Sequence, residues 1–147
     1  MEETKGGFLI SQIKQVQGRI FERLLSDSGI LEFNGAQGRI LYVLWQADGL
    51  SIVELSKRTG LAKTTLTSML DRMEAQGYIM RRPDRSDRRQ LKIMLTEKAS
   101  SLRDGYNRVS EQMSAIFYRG FTREDICAFE NTLKKILNNL IEREEQP

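Results

Sequence analysis

Between Ser51 and Thr96 the apolar residues change from helical spacing to strand alternation within one short segment, and few folds accommodate that change. Ser51-Ile52-Val53-Glu54 sets a hydroxyl three residues before a carboxylate, the spacing of a capping box, so a helix starts there. Leu55 falls on its buried side, and Gly60 ends it where a left-handed turn is needed. A second helix is expected from about Ala62 to Gln76, with Leu66, Met69, Leu70 and Met73 along one face. Its other face carries Lys63, Thr64, Thr65, Thr67, Ser68 and Arg72. Short hydroxyl side chains mixed with cations are what a helix needs to enter a major groove and touch base edges. A solvated helix face has a similar composition, so the neighbouring segment has to decide between the two.

That segment reads as a hairpin. Gly77 closes the helix, Tyr78-Ile79-Met80 is an apolar strand, and Pro83 to Asp87 are turn formers. Leu91, Ile93 and Leu95 then alternate with Lys92 and Met94 as a half-buried strand. From Arg81 to Lys92 there are six cations (Arg81, Arg82, Arg85, Arg88, Arg89, Lys92) against Asp84 and Asp87, a local charge of +4 in a chain whose total is +3. Charge concentrated on one loop beside a hydroxyl-bearing helix suggests a footprint for phosphate and favours the DNA reading. Arg88 is the first candidate to reach a minor groove, with Arg85 and Arg89 as neighbours, because guanidinium sheds water more readily than ammonium. Asp87 would repel phosphate by itself, so its expected role is to brace an arginine through a bidentate pair.

Gly60, the polar face from Lys63 to Arg72, Gly77, and the run Asp84-Arg85-Ser86-Asp87-Arg88-Arg89 followed by Leu95-Thr96 resemble the winged helix-turn-helix of the MarR family of bacterial transcriptional regulators. The resemblance extends over nearly the whole chain in length and helix layout. Its most specific part is Asp87-Arg88-Arg89 ahead of a Leu-Thr strand end. It implies a double-stranded DNA partner, dimerisation through terminal helices and, as in many relatives, release by a small aromatic effector. Phe8, Ile13, Tyr42, Trp45 and Tyr106 can border a cleft for such a molecule, but the sequence does not separate pocket wall from core, and no ligand residue follows.

The rest of the chain supplies the helices. Phe8, Leu9, Ile13, Val16, Ile20, Phe21, Leu24 and Leu25 form a stripe wide enough for two neighbours, within the domain and on a partner chain. Asn34, with Gln37 three residues on, opens a helix that is apolar on most sides and includes Trp45, a core residue by expectation. Thr96 can cap a long helix with a seam through Ala99, Leu102, Tyr106, Val109, Met113 and Ile116, in which Gly105 marks a bend or a close approach. Thr122-Arg123-Glu124-Asp125 caps the last helix, whose seam runs through Ile126, Phe129, Leu133, Ile136 or Leu137, and Leu140. The expected fold is therefore mainly α with a small β-hairpin wing. Residues 34–96 form the winged helix-turn-helix, and residues 1–33 and 97–147 form a helical dimerisation region. Paired by a two-fold axis, two such recognition helices lie about one DNA turn apart, ~34 Å, on a pseudo-palindromic operator.

Several classes are excluded or disfavoured. With no histidine and one cysteine there is no disulfide within the chain, no Cys/His zinc site and no Ser-His or Cys-His nucleophile pair. No glycine-rich phosphate loop is present, so neither an enzyme nor a cofactor is expected. No apolar run approaches the ~18 residues of a membrane span. Met1 to Lys5 lack a secretory layout, so a cytoplasmic protein is expected. Two alternatives stay open. One is a winged-helix module that binds another protein, since fold does not fix function. The other is a redox-sensing regulator using Cys127, although its place between Ile126 and Phe129 suits a small buried hydrophobe.

Overall fold

The computed structural model describes residues 3–30 and 35–147. Their order is α1 (Gly6–Asp27), α2 (Gly35–Gln46), β1 (Leu50–Ser51), α3 (Ile52–Thr59), α4 (Lys63–Ala75), β2 (Ile79–Pro83), β3 (Leu91–Leu95), α5 (Glu97–Ser101), α6 (Arg103–Phe117) and α7 (Arg123–Glu145). The chain divides into two compact units, Met1–Met113 and Ser114–Pro147. The proposed cap at Asn34 lies outside the described residues.

The first unit is built around α2, whose Ile40, Leu41 and Leu44 are fully buried. Leu55 from α3, Leu66, Leu70 and Met73 from α4, and Ile79 and Ile93 from the sheet pack into the same core. Loss of any one leucine there should cost ~2–5 kcal/mol, the transfer term plus the cavity left behind. Trp45 is core as expected, and its indole Nε1 donates to the Ala99 carbonyl at 3.1 Å. Tyr106 packs against Trp45 (centroids 5.1 Å apart) and edge-on against Phe21 (5.5 Å). Trp45 and Tyr106 thus belong to the core, while Phe8, Ile13 and Tyr42 are exposed.

The sheet is antiparallel in the order β1-β3-β2. The two-residue strand β1 has no period of its own and was not legible in sequence. It forms by pairing with β3, and Asp48 fastens the turn before it: its Oδ1 accepts from Gly49 N (3.0 Å) and from Leu95 N on β3 (2.9 Å). In β3 only Ile93 is buried and Leu91 is exposed, so the alternation is weaker than expected.

Thr96 caps a helix as expected, its hydroxyl accepting from Ala99 N at 3.3 Å. That helix, however, stops at Leu102, and α6 starts afresh at Arg103. Gly105 is therefore the close approach rather than the bend. Ala99, Tyr106, Val109 and Met113 of the seam are buried, whereas Ile116 is exposed. In α1 the pattern splits along its length: Leu25 is buried, while Phe8 is 70% exposed and Leu9, Ile13 and Val16 are exposed as well.

The second unit joins the last turn of α6 to α7 and carries an aromatic cluster. Gly120 (φ +87°) makes the turn, and Thr122 and Asp125 form a reciprocal capping box, with Thr122 N donating to Asp125 Oδ2 at 3.0 Å and Asp125 N to Thr122 Oγ1 at 3.1 Å. The Tyr118 ring meets Phe117, Phe121 and Phe129, and its hydroxyl donates to Glu130 at 2.8 Å. No residue of α7 is buried, and Ile136, Leu137, Leu140 and Ile141 are exposed. Cys127 is exposed, which corrects its expected burial. On α7 its neighbours Ile126 and Phe129 are themselves only half-buried, and no residue of that helix is buried in the single chain.

Candidate nucleic-acid interface

The turn between α3 and α4 is fastened by side chains on either side of Gly60, whose φ of +74° suits a residue without Cβ. Ser51 Oγ accepts from Glu54 N at 3.2 Å and starts α3. Ser56 donates to the Leu61 carbonyl at 2.6 Å, and Thr59 Oγ1 accepts from Leu61 N at 3.3 Å while donating to Leu55 O at 2.7 Å. The apolar face of α4 is thereby held against the core, and its polar face is presented outward.

All six polar residues expected on that face are exposed: Lys63, Thr64, Thr65, Thr67, Ser68 and Arg72. Four of them come together. Thr64, Thr65, Ser68 and Arg72, with Met69, line one shallow depression on α4. Thr67 does not line it, and its hydroxyl donates to the Lys63 carbonyl at 2.8 Å. The spacing of Met69 predicts the buried face, yet it is half-buried and offers apolar surface among the hydroxyls. Ala62, the N-cap, provides no side-chain acceptor, so the first-turn N–H groups beside Lys63 are open to an anion. Lys57 and Arg58 are exposed cations in the last turn of α3 that spacing did not single out, and Arg58 Nε lies 3.7 Å from Glu54 Oε2.

The hairpin tip is ordered by its two acids. Asp84 Oδ1 accepts from Ser86 N (2.9 Å) and Ser86 Oγ (2.8 Å), and those bonds, the backbone one first, hold its carboxyl below the usual carboxylate range. Asp84 N donates to Gln90 O at 2.9 Å, and Gln90 N to Asp87 O at 3.0 Å. Asp87 Oδ1 accepts from Arg89 N at 3.1 Å. The expected bidentate pair is not formed. The Arg89 guanidinium touches Asp87 only through Nε at 4.0 Å, and its side chain is 96% exposed. A carboxylate two residues from its partner satisfies the turn's backbone more easily than a long, solvated guanidinium. Arg85 and Arg88 are exposed beside it.

One cation of the run behaves differently. Arg81 is directed at α4, with Nη2 2.8 Å from Asp71 Oδ1 and Nη1 3.2 Å from Glu74 Oε1, and its side chain is only 17% exposed. The hairpin's outward charge is accordingly carried by Arg82, Arg85, Arg88, Arg89 and Lys92, all exposed. At the other end of the connection, Lys98 Nζ donates to Gln76 O at 3.0 Å and so meets the negative C-terminal end of α4.

Comparison with known proteins agrees with this geometry. The model of the MarR family matches residues 33–91. The HTH-type transcriptional regulator TtmR of Methylorubrum extorquens is 41% identical over 86 residues, which are 58% of this chain and 43% of that protein, so the match spans less than half of that relative. The multiple antibiotic resistance protein MarR of Escherichia coli is 27% identical over 132 residues, 89% of this chain and 90% of its own. Among solved structures, a mutant of E. coli MarR complexed with operator DNA superposes with a TM-score of 0.79 at 27% identity, covering 89% of this chain and 92% of that one.

Proposed function

Because the chain belongs to the MarR family of winged helix-turn-helix transcriptional regulators, we propose that it works in the cytoplasm as a homodimeric repressor on a pseudo-palindromic operator. The observation that carries this reading is the exposed depression on α4, lined by Thr64, Thr65, Ser68, Met69 and Arg72, in the same unit as a hairpin tip bearing Arg85, Arg88 and Arg89. Thr64, Thr65, Ser68 and Arg72 contact base edges or the adjoining backbone in the major groove, and Thr67, whose hydroxyl hydrogen is committed to the Lys63 carbonyl, accepts from a base amino group at its edge. Lys63 meets phosphate at the open first turn of α4. Arg88, flanked by Arg85 and Arg89, enters the minor groove, and Asp87 keeps the tip in shape for it.

Residues 34–96 bind DNA in this reading, and residues 1–33 and 97–147 pair two chains. Support for pairing comes from apolar surface that one chain leaves in water: Phe8, Leu9, Ile13 and Val16 on α1, and Ile136, Leu137, Leu140 and Ile141 on α7. A small aromatic effector that releases the DNA completes the reading and rests on the family alone.

The test is a mobility shift on duplexes selected by sequencing the DNA that co-purifies with the protein, repeated across salt concentrations. A selected duplex should bind more tightly than random duplex, and log affinity should fall linearly with log salt. Equal binding of all duplexes, or a flat salt response, rejects the proposal.

A further inference from the structure

We propose that Arg81, Asp71 and Glu74 form a strut that sets the position of the wing relative to α4, so that Arg81 is a positioning residue and not one of the wing's phosphate contacts. The inference rests on the DNA-binding reading above and deepens it.

The strut is read from the hairpin's hydrogen bonding. Thr96 N donates to Tyr78 O at 3.1 Å at the base, and Asp84 N to Gln90 O at 2.9 Å near the tip. In an antiparallel ladder the bonded pairs alternate, so Arg81, opposite Ile93, and Pro83, opposite Leu91, point their backbone nitrogens away from β3. Pro83 therefore loses no ladder bond, as an edge strand allows. Arg81 N has a partner on that outer edge: it donates to Glu74 Oε2 at 3.3 Å. The same carboxylate takes Arg81 Nη1 through Oε1 at 3.2 Å, and Asp71 takes Nη2 at 2.8 Å. Three bonds thus join the wing's outer edge to the last two turns of the helix that carries the candidate reading face. Between them the chain turns at Gly77 (φ +84°), and the Gly77 carbonyl is held by Thr96 Oγ1 at 2.6 Å.

Two further facts separate Arg81 from its neighbours. Its side chain is mostly covered, and both groups it pairs with are carboxylates. Reaching a phosphate would strand two acids next to the DNA backbone. An arginine whose purpose is phosphate neutralisation gains nothing from that arrangement. An arginine that holds a lever against a helix gains rigidity, and rigidity held before binding is not lost as entropy on binding.

The experiment exploits an opposition of sign. Asp71 and Glu74 are partly exposed acids on the DNA-reading helix, so neutralising them removes like charge from the path of phosphate. If they served no positioning role, Asp71→Asn with Glu74→Gln would tighten DNA binding and free one more cation. With the strut, the double variant of the full chain binds its selected duplex about tenfold more weakly despite the more favourable charge, and hydroxyl-radical footprinting loses protection at the flanks while keeping it over the central grooves. Glu74→Gln alone should shift affinity in the same direction by less, and it serves if the double variant melts early. Arg81→Lys, which keeps the charge but not the fork, should recover only part of what Arg81→Ala loses, with an unchanged salt slope for both. Tighter or unchanged binding by the carboxamide variants, or a salt slope that falls by about one phosphate on Arg81→Ala, overturns the strut. Wild-type protein that binds no duplex in a salt-dependent way overturns the DNA reading itself.

Discussion

Gly105 in α6 stands against Ile30, so closely that a Cβ on the glycine would lie 3.3 Å from Ile30 Cδ1. That contact gives the mid-helix glycine a physical reason. Glycine costs a helix about 1 kcal/mol relative to alanine, and here the missing methyl makes room for the residue that follows α1.

A double-mutant cycle tests that reason. Gly105→Ala alone should gain little or lose stability, because its methyl crowds Ile30. In an Ile30→Val background, which lacks the Cδ1 atom, the same change should be stabilising by up to ~1 kcal/mol. Thermal or urea melts of the four proteins measure it. Equal effects in both backgrounds would show the contact to be loose.

Arg88→Ala should weaken binding of a selected duplex by roughly tenfold or more, and reduce the salt slope by about 0.9 if one phosphate contact is lost. The melting temperature should not move, because Arg88 is exposed. Unchanged affinity with an intact dimer would remove the wing from the interface.

The apolar surface on α7 gives an association test. Leu137→Lys with Leu140→Lys replaces two exposed residues, and Leu140 is 62% exposed in the single chain. A monomer would tolerate the change, since surface substitutions usually stay within ~0.5 kcal/mol. A dimer held by this face should dissociate, which sedimentation would show as a fall in mass with a parallel loss of tight operator binding.

The capping box of α7 is a local device, and its removal should act locally. Thr122→Ala should cost about 1 kcal/mol and speed amide exchange in the first turn of α7, whereas Thr122→Ser should retain most of the cap. Exchange at Arg123 to Ile126 identical to wild type in the alanine variant would show that the helix start does not depend on it.

Two tyrosines should report their surroundings at high pH. Burial pushes the Tyr106 hydroxyl up to about 12. Desolvation, and after it the hydrogen bond to Glu130, pushes Tyr118 up to about 12 as well. The unfolded chain would lose both protons near 10. The stability these groups contribute is thus complete below pH ~10 and is lost as pH rises through ~12. An absorbance titration of the phenolates should show a late step that shrinks in Tyr106→Phe and in Tyr118→Phe. Glu130→Gln should bring the Tyr118 step down. A single step near 10 in the wild type would contradict both environments.

Much of this protein was readable before any coordinates because its signals are short-range. The caps at Ser51, Thr96 and Thr122, the left-handed Gly60, and the buried faces of α3 and α4 depend on residues within four positions of one another. The cluster of arginines on the wing is likewise a run in sequence.

Tertiary structure decided what depends on distant partners. β1 exists only by pairing with β3 some forty residues later, so no local period announces it. The seam from Ala99 to Ile116 looks uniform in sequence, yet it is buried or half-buried through Met113 and exposed at Ile116, because a seam records apolarity and not where neighbours stop. Asp87 was expected to hold a guanidinium and instead holds backbone, while the guanidinium that is held, Arg81, finds its acids seven and ten residues back on another element. A sequence counts charges, but only the packing of a strand edge against a helix end determines which of them remain turned toward water.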